Sequence, residues 1–283
     1  MMEDTSKSMS LLELLTRTRL QIFTYKQGTM IKNAYPGGMG SGFFLLHKEK
    51  VILVTVDHVC HPFDHEWGRT QRVFEDKDVA LVNNWVEKDA NGVDVPILTP
   101  VGGFYYFDKF KVDLDKGLLN DFRPFDATFA ILGKDRFQRP FKNGGMKVLN
   151  GPTIPAGLDM IPIPTGAVVE PKADDWYICY GHTNFDLADD NIHLKWDTTI
   201  HENMKYRCDC GDYYVLTPAE PIVNNDWEGL SGAPVLNQTG GLLGILCGGN
   251  PQDNSIFVLK MKAVLSLFDT TLRIEEIETL NKK

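Results

Sequence analysis

A histidine, an aspartate and a serine follow one another along this chain, each in a setting fit to hold it in place. Their order limits the folds that can use them. His58 stands in Leu53-Val54-Thr55-Val56-Asp57-His58-Val59, Asp126 opens Asp126-Ala127-Thr128-Phe129-Ala130, and Ser231 lies in Gly229-Leu230-Ser231-Gly232-Ala233-Pro234. The Ser-His-Asp constellation recurs on unrelated scaffolds with different chain orders. An order that begins with the serine needs a histidine after it, but the last histidine is His201. The strained strand-to-helix elbow of that scaffold also needs glycine two residues after the serine, where this chain has Ala233. An order that begins with the acid has only Asp4 and Asp57 to draw on. One is near the terminus and the other is adjacent to the histidine. His–Asp–Ser is the order that remains.

The hydrophobic pattern is strand-like over most of the chain. Leu11, Leu12 and Leu15 predict a short N-terminal helix or arm within residues 1–27. A turn at Gly37-Gly38-Met39-Gly40 precedes strands at 43–46 and 51–55, joined by a hairpin loop at 47–50. Strands at 79–86 and 93–98 flank Asn91-Gly92, a hairpin signal. Further alternation covers 104–107 and 109–114. After a Gly/Pro-rich stretch at 150–157, strands are predicted at 176–180, 192–199, 213–217, 232–236, 242–247 and 255–259. From Met261 the spacing of Met261, Val264, Leu265, Phe268 and Leu272 turns helical. Many short strands with few helices between them indicate antiparallel sheets or barrels rather than βαβ units.

Gly40-Ser41-Gly42-Phe43, Thr55-x-x-His58-Val59, Asp126 before an apolar run and Gly229-x-Ser231-Gly232-x-Pro234 together resemble the trypsin/chymotrypsin-like serine peptidases. The resemblance is closer to the bacterial type that includes HtrA/Deg catalytic domains, and it covers roughly residues 30–262. It implies an all-β fold of two antiparallel six-stranded barrels. The expected divisions are an N-terminal helix or arm (1–27), a first lobe with His58 and Asp126 (28–149), a second lobe with Ser231 (150–262) and a C-terminal helix (263–283). The last segment is too short for the PDZ domain that many HtrA proteins append. Two positions depart from the family: Asp57 replaces the usual alanine before the histidine, and Thr128 a small apolar residue after the aspartate.

In that reading Ser231 is the nucleophile of a serine endopeptidase, His58 the base that takes its proton, and Asp126 the group that orients the imidazole. Asp108, Asp113, Asp115 and Asp121 compete for the acid, but only Asp126 leads directly into an apolar strand. The resemblance further assigns the oxyanion donors to the N–H groups of Gly229 and Ser231. It places substrate binding at Asn225, Leu246, Cys247 and Gly248. No cofactor is required. Two alternatives follow: a catalytically silent relative that binds a peptide or protein in the cleft, suggested by Asp57, and a latent enzyme awaiting an activating partner or removal of residues 1–27.

Composition bounds the partners. A net charge of −9 argues against nucleic acid or an anionic membrane. No apolar run approaches the ~18 residues of a membrane helix, and no signal peptide opens the chain. Five cysteines (Cys60, Cys179, Cys208, Cys210, Cys247) are few and odd in number, which fits reduced thiols and a cytoplasmic location. His58, Cys60, His61 and His65 form a cluster, but zinc spacing is missing and Cys208-Asp209-Cys210 leaves one intervening residue. They are expected to be surface histidines on a variable loop, with no metal.

Overall fold

Ser10 starts the first helix. Its hydroxyl accepts a hydrogen bond from the Glu13 N–H at 3.1 Å, and Glu13 pairs with Arg17 one turn on at 2.8 Å. Helix α1 (Leu11–Thr18) ends where Arg19-Leu-Gln-Ile-Phe-Thr-Tyr-Lys brings in β-branched and aromatic residues, and the chain continues directly into strand β1 (Arg19–Lys26). The described part of the segment expected as a helix or arm is therefore half helix and half sheet strand. β1 lies between two neighbours in the first lobe. The computed structural model describes residues 9–26, 28, 37–65, 71–72, 77–88, 94–113, 118–132, 140–147, 152–187, 194–223 and 226–281.

The first lobe continues with β2 (Gly38–His47), β3 (Lys50–Thr55), the one-turn helix α2 (Asp57–Cys60), β4 (Lys77–Lys88), β5 (Asp94–Val101), β6 (Phe104–Asp113) and β7 (Leu118–Leu132). The β2–β3 hairpin turns through Lys48 and Glu49, both at positive φ (45° and 64°), as a tight primed turn requires. The Asn91-Gly92 turn lies outside the described residues. The strands form one curled sheet in the order β5-β4-β1-β2-β3-β7-β6. The short pair β8 (Met146–Lys147) and β9 (Thr153–Ile154) leads to β10 (Ile163–Pro164), which adds to β2 in parallel and makes this an eight-stranded sheet. Six strands were expected here. The extra edge comes from the connecting segment, which crosses back over the first lobe before the second begins.

The second lobe is a closed barrel, ordered β11-β12-β13-β16-β15-β14, of six antiparallel strands. These are β11 (Tyr177–Leu187), β12 (Leu194–Cys210), β13 (Tyr213–Thr217), β14 (Pro234–Asn237), β15 (Leu242–Asn250) and β16 (Ser255–Lys260). Closure removes the exposed sheet edges that an open sheet must protect. Its own core gathers Tyr177, Met204, Leu216, Leu243, Leu246 and Val258. Helix α3 (Met261–Asn281) follows the barrel yet packs on the first lobe. Phe268 sits edge-on to Phe129 at 4.3 Å between ring centroids, and Asp269 accepts from His47 Nε2 at 2.8 Å. The architecture is mostly β: one curled sheet, one closed six-stranded barrel and a C-terminal helix. No described helix is long and apolar enough to cross a membrane, and all five cysteines are unpaired.

Candidate active site

His58 reaches its position because β3 ends in the one-turn helix α2, which puts the residue just past the end of that strand. Asp126 comes from the neighbouring strand. β7 pairs Thr128 with Thr55 of β3, but between Thr128 and Phe125 its register against β6 shifts. Asp126 and Ala127 occupy that bulge, the device by which a strand redirects a side chain. Thr128, the second departure from the family pattern, fits the bulge because its hydroxyl donates to the Tyr105 carbonyl at 2.8 Å.

The two side chains meet. His58 Nδ1 lies 2.9 and 3.0 Å from the two carboxylate oxygens of Asp126, and the His58 backbone N–H donates to the same carboxylate at 3.1 Å. Burial works against ionising either group. For Asp126 the charge and hydrogen bonds of His58, with help from His65, outweigh burial and hold the carboxyl below its usual range. For His58 the Asp126 carboxylate, with a smaller contribution from Asp57, outweighs burial and raises the imidazole. With Nδ1–H committed to Asp126, Nε2 is left with a lone pair to accept a proton.

Asp57 and the two following histidines differ from expectation. His61 and His65 are not on a free surface: His61 Nδ1 and His65 Nε2 reach the fully buried Asp57 carboxylate at 2.8 and 2.9 Å. Arg72 Nη1 donates to Asp57 at 2.8 Å and to Asp64 at 3.1 Å, and Arg72 Nε donates to Asp108 at 2.7 Å. The guanidinium also lies over the Tyr106 ring at 4.5 Å. Asp57 is thereby held well below the ordinary carboxylate range despite its burial, chiefly by hydrogen bonds from His61 and His65 and by the charges of His61 and Arg72. The i,i+4 spacing of Asp57 and His61 on one helical turn was a readable signal. Nothing local marked Arg72. Among the described residues no group of three or more His, Cys, Asp or Glu is arranged to hold a metal.

Ser231 sits on a tight turn between two positive-φ glycines, Gly229 (98°) and Gly232 (91°). A Cβ on Gly232 would stand 1.9 Å from the Ser41 carbonyl oxygen, so no other residue fits there. The turn is held from both lobes. Ser41 N donates to the Ser231 carbonyl at 2.7 Å, Ser41 Oγ donates to the Gly229 carbonyl at 2.9 Å, and Gly232 N donates to Leu246 O at 2.7 Å. Among the described residues, the N–H groups of Gly229 and Ser231 donate no hydrogen bond. The Ser231 hydroxyl donates to the Cys247 carbonyl at 3.3 Å and makes no hydrogen bond with His58.

The expected substrate-binding residues separate. Leu246 is buried in the barrel core with Leu230 and Ala233, and its backbone pairs with Gly232 and Ala233 of the serine turn. Cys247 and Gly248 are half-buried on β15, and a Cβ on Gly248 would meet open space. Burial pushes the Cys247 thiol up, with a smaller contribution from Asp126. Asn225 lies outside the described residues.

No family model matches the sequence, and no curated protein matches it. Among solved structures the chain is similar to the serine endoprotease from Yersinia pestis. The two are 11% identical over 93% of this chain and 67% of the other, with a TM-score of 0.42.

Proposed function

We propose that this chain is a serine endopeptidase that cleaves peptide or protein substrates through an acyl-enzyme. The observation that carries the reading is Asp126 holding both the ring Nδ1 and the backbone N–H of His58. A carboxylate so placed fixes the tautomer whose Nε2 is a base and stabilises the imidazolium that forms. His58 Nε2 would take the hydroxyl proton as Ser231 Oγ bonds to the substrate carbonyl carbon. The carbonyl π-electrons move to oxygen, and the unengaged N–H groups of Gly229 and Ser231 would donate hydrogen bonds to that oxyanion. Collapse expels the amine with the proton from His58, and water repeats the sequence to free the acid.

A second reading rests on the Ser231 hydroxyl, which is turned to the Cys247 carbonyl. Catalytic hydrogen bonds are often unformed before substrate arrives, but a latent or silent domain that binds a peptide or partner would hold the same arrangement. Removal of residues 1–27 is an unsuitable trigger for it, because that cut deletes β1 from the middle of the first sheet. An activating partner protein remains as the proposal.

Covalent labelling with a fluorophosphonate, read by intact mass, tests both. The expected result is one adduct on the wild type and none on Ser231→Ala. A folded wild type that stays unlabelled sinks the constitutive enzyme, and labelling that appears only with a partner supports latency.

A further inference from the structure

Among the described residues two guanidiniums are buried, and they differ in their counter-charges. Arg72 holds three carboxylates. Arg19, at the start of β1 and 6% exposed, has none. Its Nε and Nη2 donate to the Ser41 hydroxyl at 3.1 and 3.0 Å, and Nη2 also donates to the Gln21 side-chain oxygen. All of these acceptors are neutral. Among the described residues Nη1 donates to nothing and no acid pairs with the group. A buried cation in this condition is costly unless it finds an anion, and burial pulls Arg19 down to about 10.

Arg19 lines a small, open pocket between β1 of the first lobe and β11 of the second. Thr16, Gln21, Lys142, Tyr180 and His182 also line it, and no acidic side chain does. Lys142 adds positive charge, though it also pairs with Asp159 at 2.6 Å. Tyr180 is 3% exposed, and among the described residues its hydroxyl makes no hydrogen bond. A buried hydroxyl in that state wants a partner. Arg19 and Tyr180 therefore line one cavity side by side, the guanidinium 6.0 Å from the centre of the tyrosine ring and without a counter-ion among the described residues.

We propose that this pocket binds a small oxyanion, a carboxylate or an inorganic anion, through Arg19 and Tyr180. The planar guanidinium fork matches either chemistry. The site is wired to the serine turn: Ser41 Oγ, gripped by Arg19, donates to the Gly229 carbonyl, and Ser41 N donates to the Ser231 carbonyl. An anion that draws on Arg19 alters its hold on Ser41 and hence on that turn. The effect on catalysis rests on Ser231 being the nucleophile; the binding does not.

The full chain is titrated with phosphate, acetate and N-acetylglycine at constant ionic strength, following heat and Tm. Saturable binding with a rise in Tm is expected. Affinity should fall roughly ten- to a hundredfold in Arg19→Met and by less in Tyr180→Phe. A preference for phosphate names an inorganic ligand, and a preference for the two carboxylates names an organic acid. Equal Tm shifts in wild type and variants show a general salt effect and overturn the site, as does the absence of saturable binding to all three. If Arg19→Met does not fold, the near-isosteric Tyr180→Phe decides: unchanged affinity overturns the assigned contacts. Binding that leaves fluorophosphonate labelling rates unchanged overturns the coupling and keeps the site.

Discussion

Asp57 and Asp126 are two carboxylates beside one histidine, and they are built for different ends. Asp57 is fully buried and faces Arg72, a permanent cation, together with His61 and His65. Asp126 is 9% exposed and faces imidazoles, His58 at 2.9 Å and His65 at 3.9 Å. Charge opposite an arginine is locked at any working pH. Charge opposite an imidazole is balanced only while the ring is protonated, so that pair can pass a proton through a reaction cycle. The contrast separates a carboxylate that holds the loop together from one available for chemistry.

The comparison can be broken by substitution. Asp126→Asn should lower the labelling rate or kcat/KM by about 10⁴-fold with the fold kept, as loss of an orienting aspartate does elsewhere. A drop under tenfold would remove Asp126 from the mechanism. Asp57→Asn should act on stability instead, costing about 3–5 kcal/mol in denaturant unfolding because Arg72 and two histidines lose a buried partner. Its rate per folded molecule should stay within about tenfold of wild type. A folded Asp57→Asn protein as dead as Asp126→Asn would erase the distinction.

pH sharpens it further. With His58 as the proposed base, its raised pKa predicts that kcat/KM rises with pH through a midpoint above the ordinary value of about 6.5, since that base acts when neutral. Asp126→Asn should move the midpoint down, leaving burial as the larger influence, and Asp57→Asn should move it down by less. Stability has the opposite sign for this group. A raised folded pKa favours the fold fully below about 6.5, and the gain is lost as pH rises through the folded value. Both aspartates are depressed, so their contributions hold above about 3.9 and fade as pH falls toward the folded pKa values. Asp57→Asn should therefore flatten the acid limb of the stability curve. The smallest effect is expected of His65→Gln, which removes one hydrogen bond to Asp57 and should cost about 1 kcal/mol in the same unfolding assay.

Local patterning made much of the architecture legible. Strand-like patterning located most strands of the second lobe and several of the first, though not β1 or the full span of β7, and the Met261–Leu272 spacing located α3 within the residues it occupies. Where the reading stopped short, the reasons lie in neighbours far along the chain. Arg19 to Lys26 continues from a helix, but its residues suit a pleated surface, and β2 and β4 supply the partners on either side. The histidine cluster looked like a loop surface because Arg72, Asp64 and Asp108 carry no local mark.

The order His58, Asp126, Ser231, the glycines at 229 and 232, and the alternation of the strands are properties of the chain alone. They follow from short-range sterics and from periods of two and 3.6 residues, which any window of sequence displays. Three things came only with tertiary structure. The β7 bulge aims Asp126 at His58, Ser41 of the first lobe holds the turn of the second, and Arg72 meets its acids while Arg19 meets none. Each depends on register or on a meeting of distant segments, which burial and electrostatics select across the whole fold and no local pattern records.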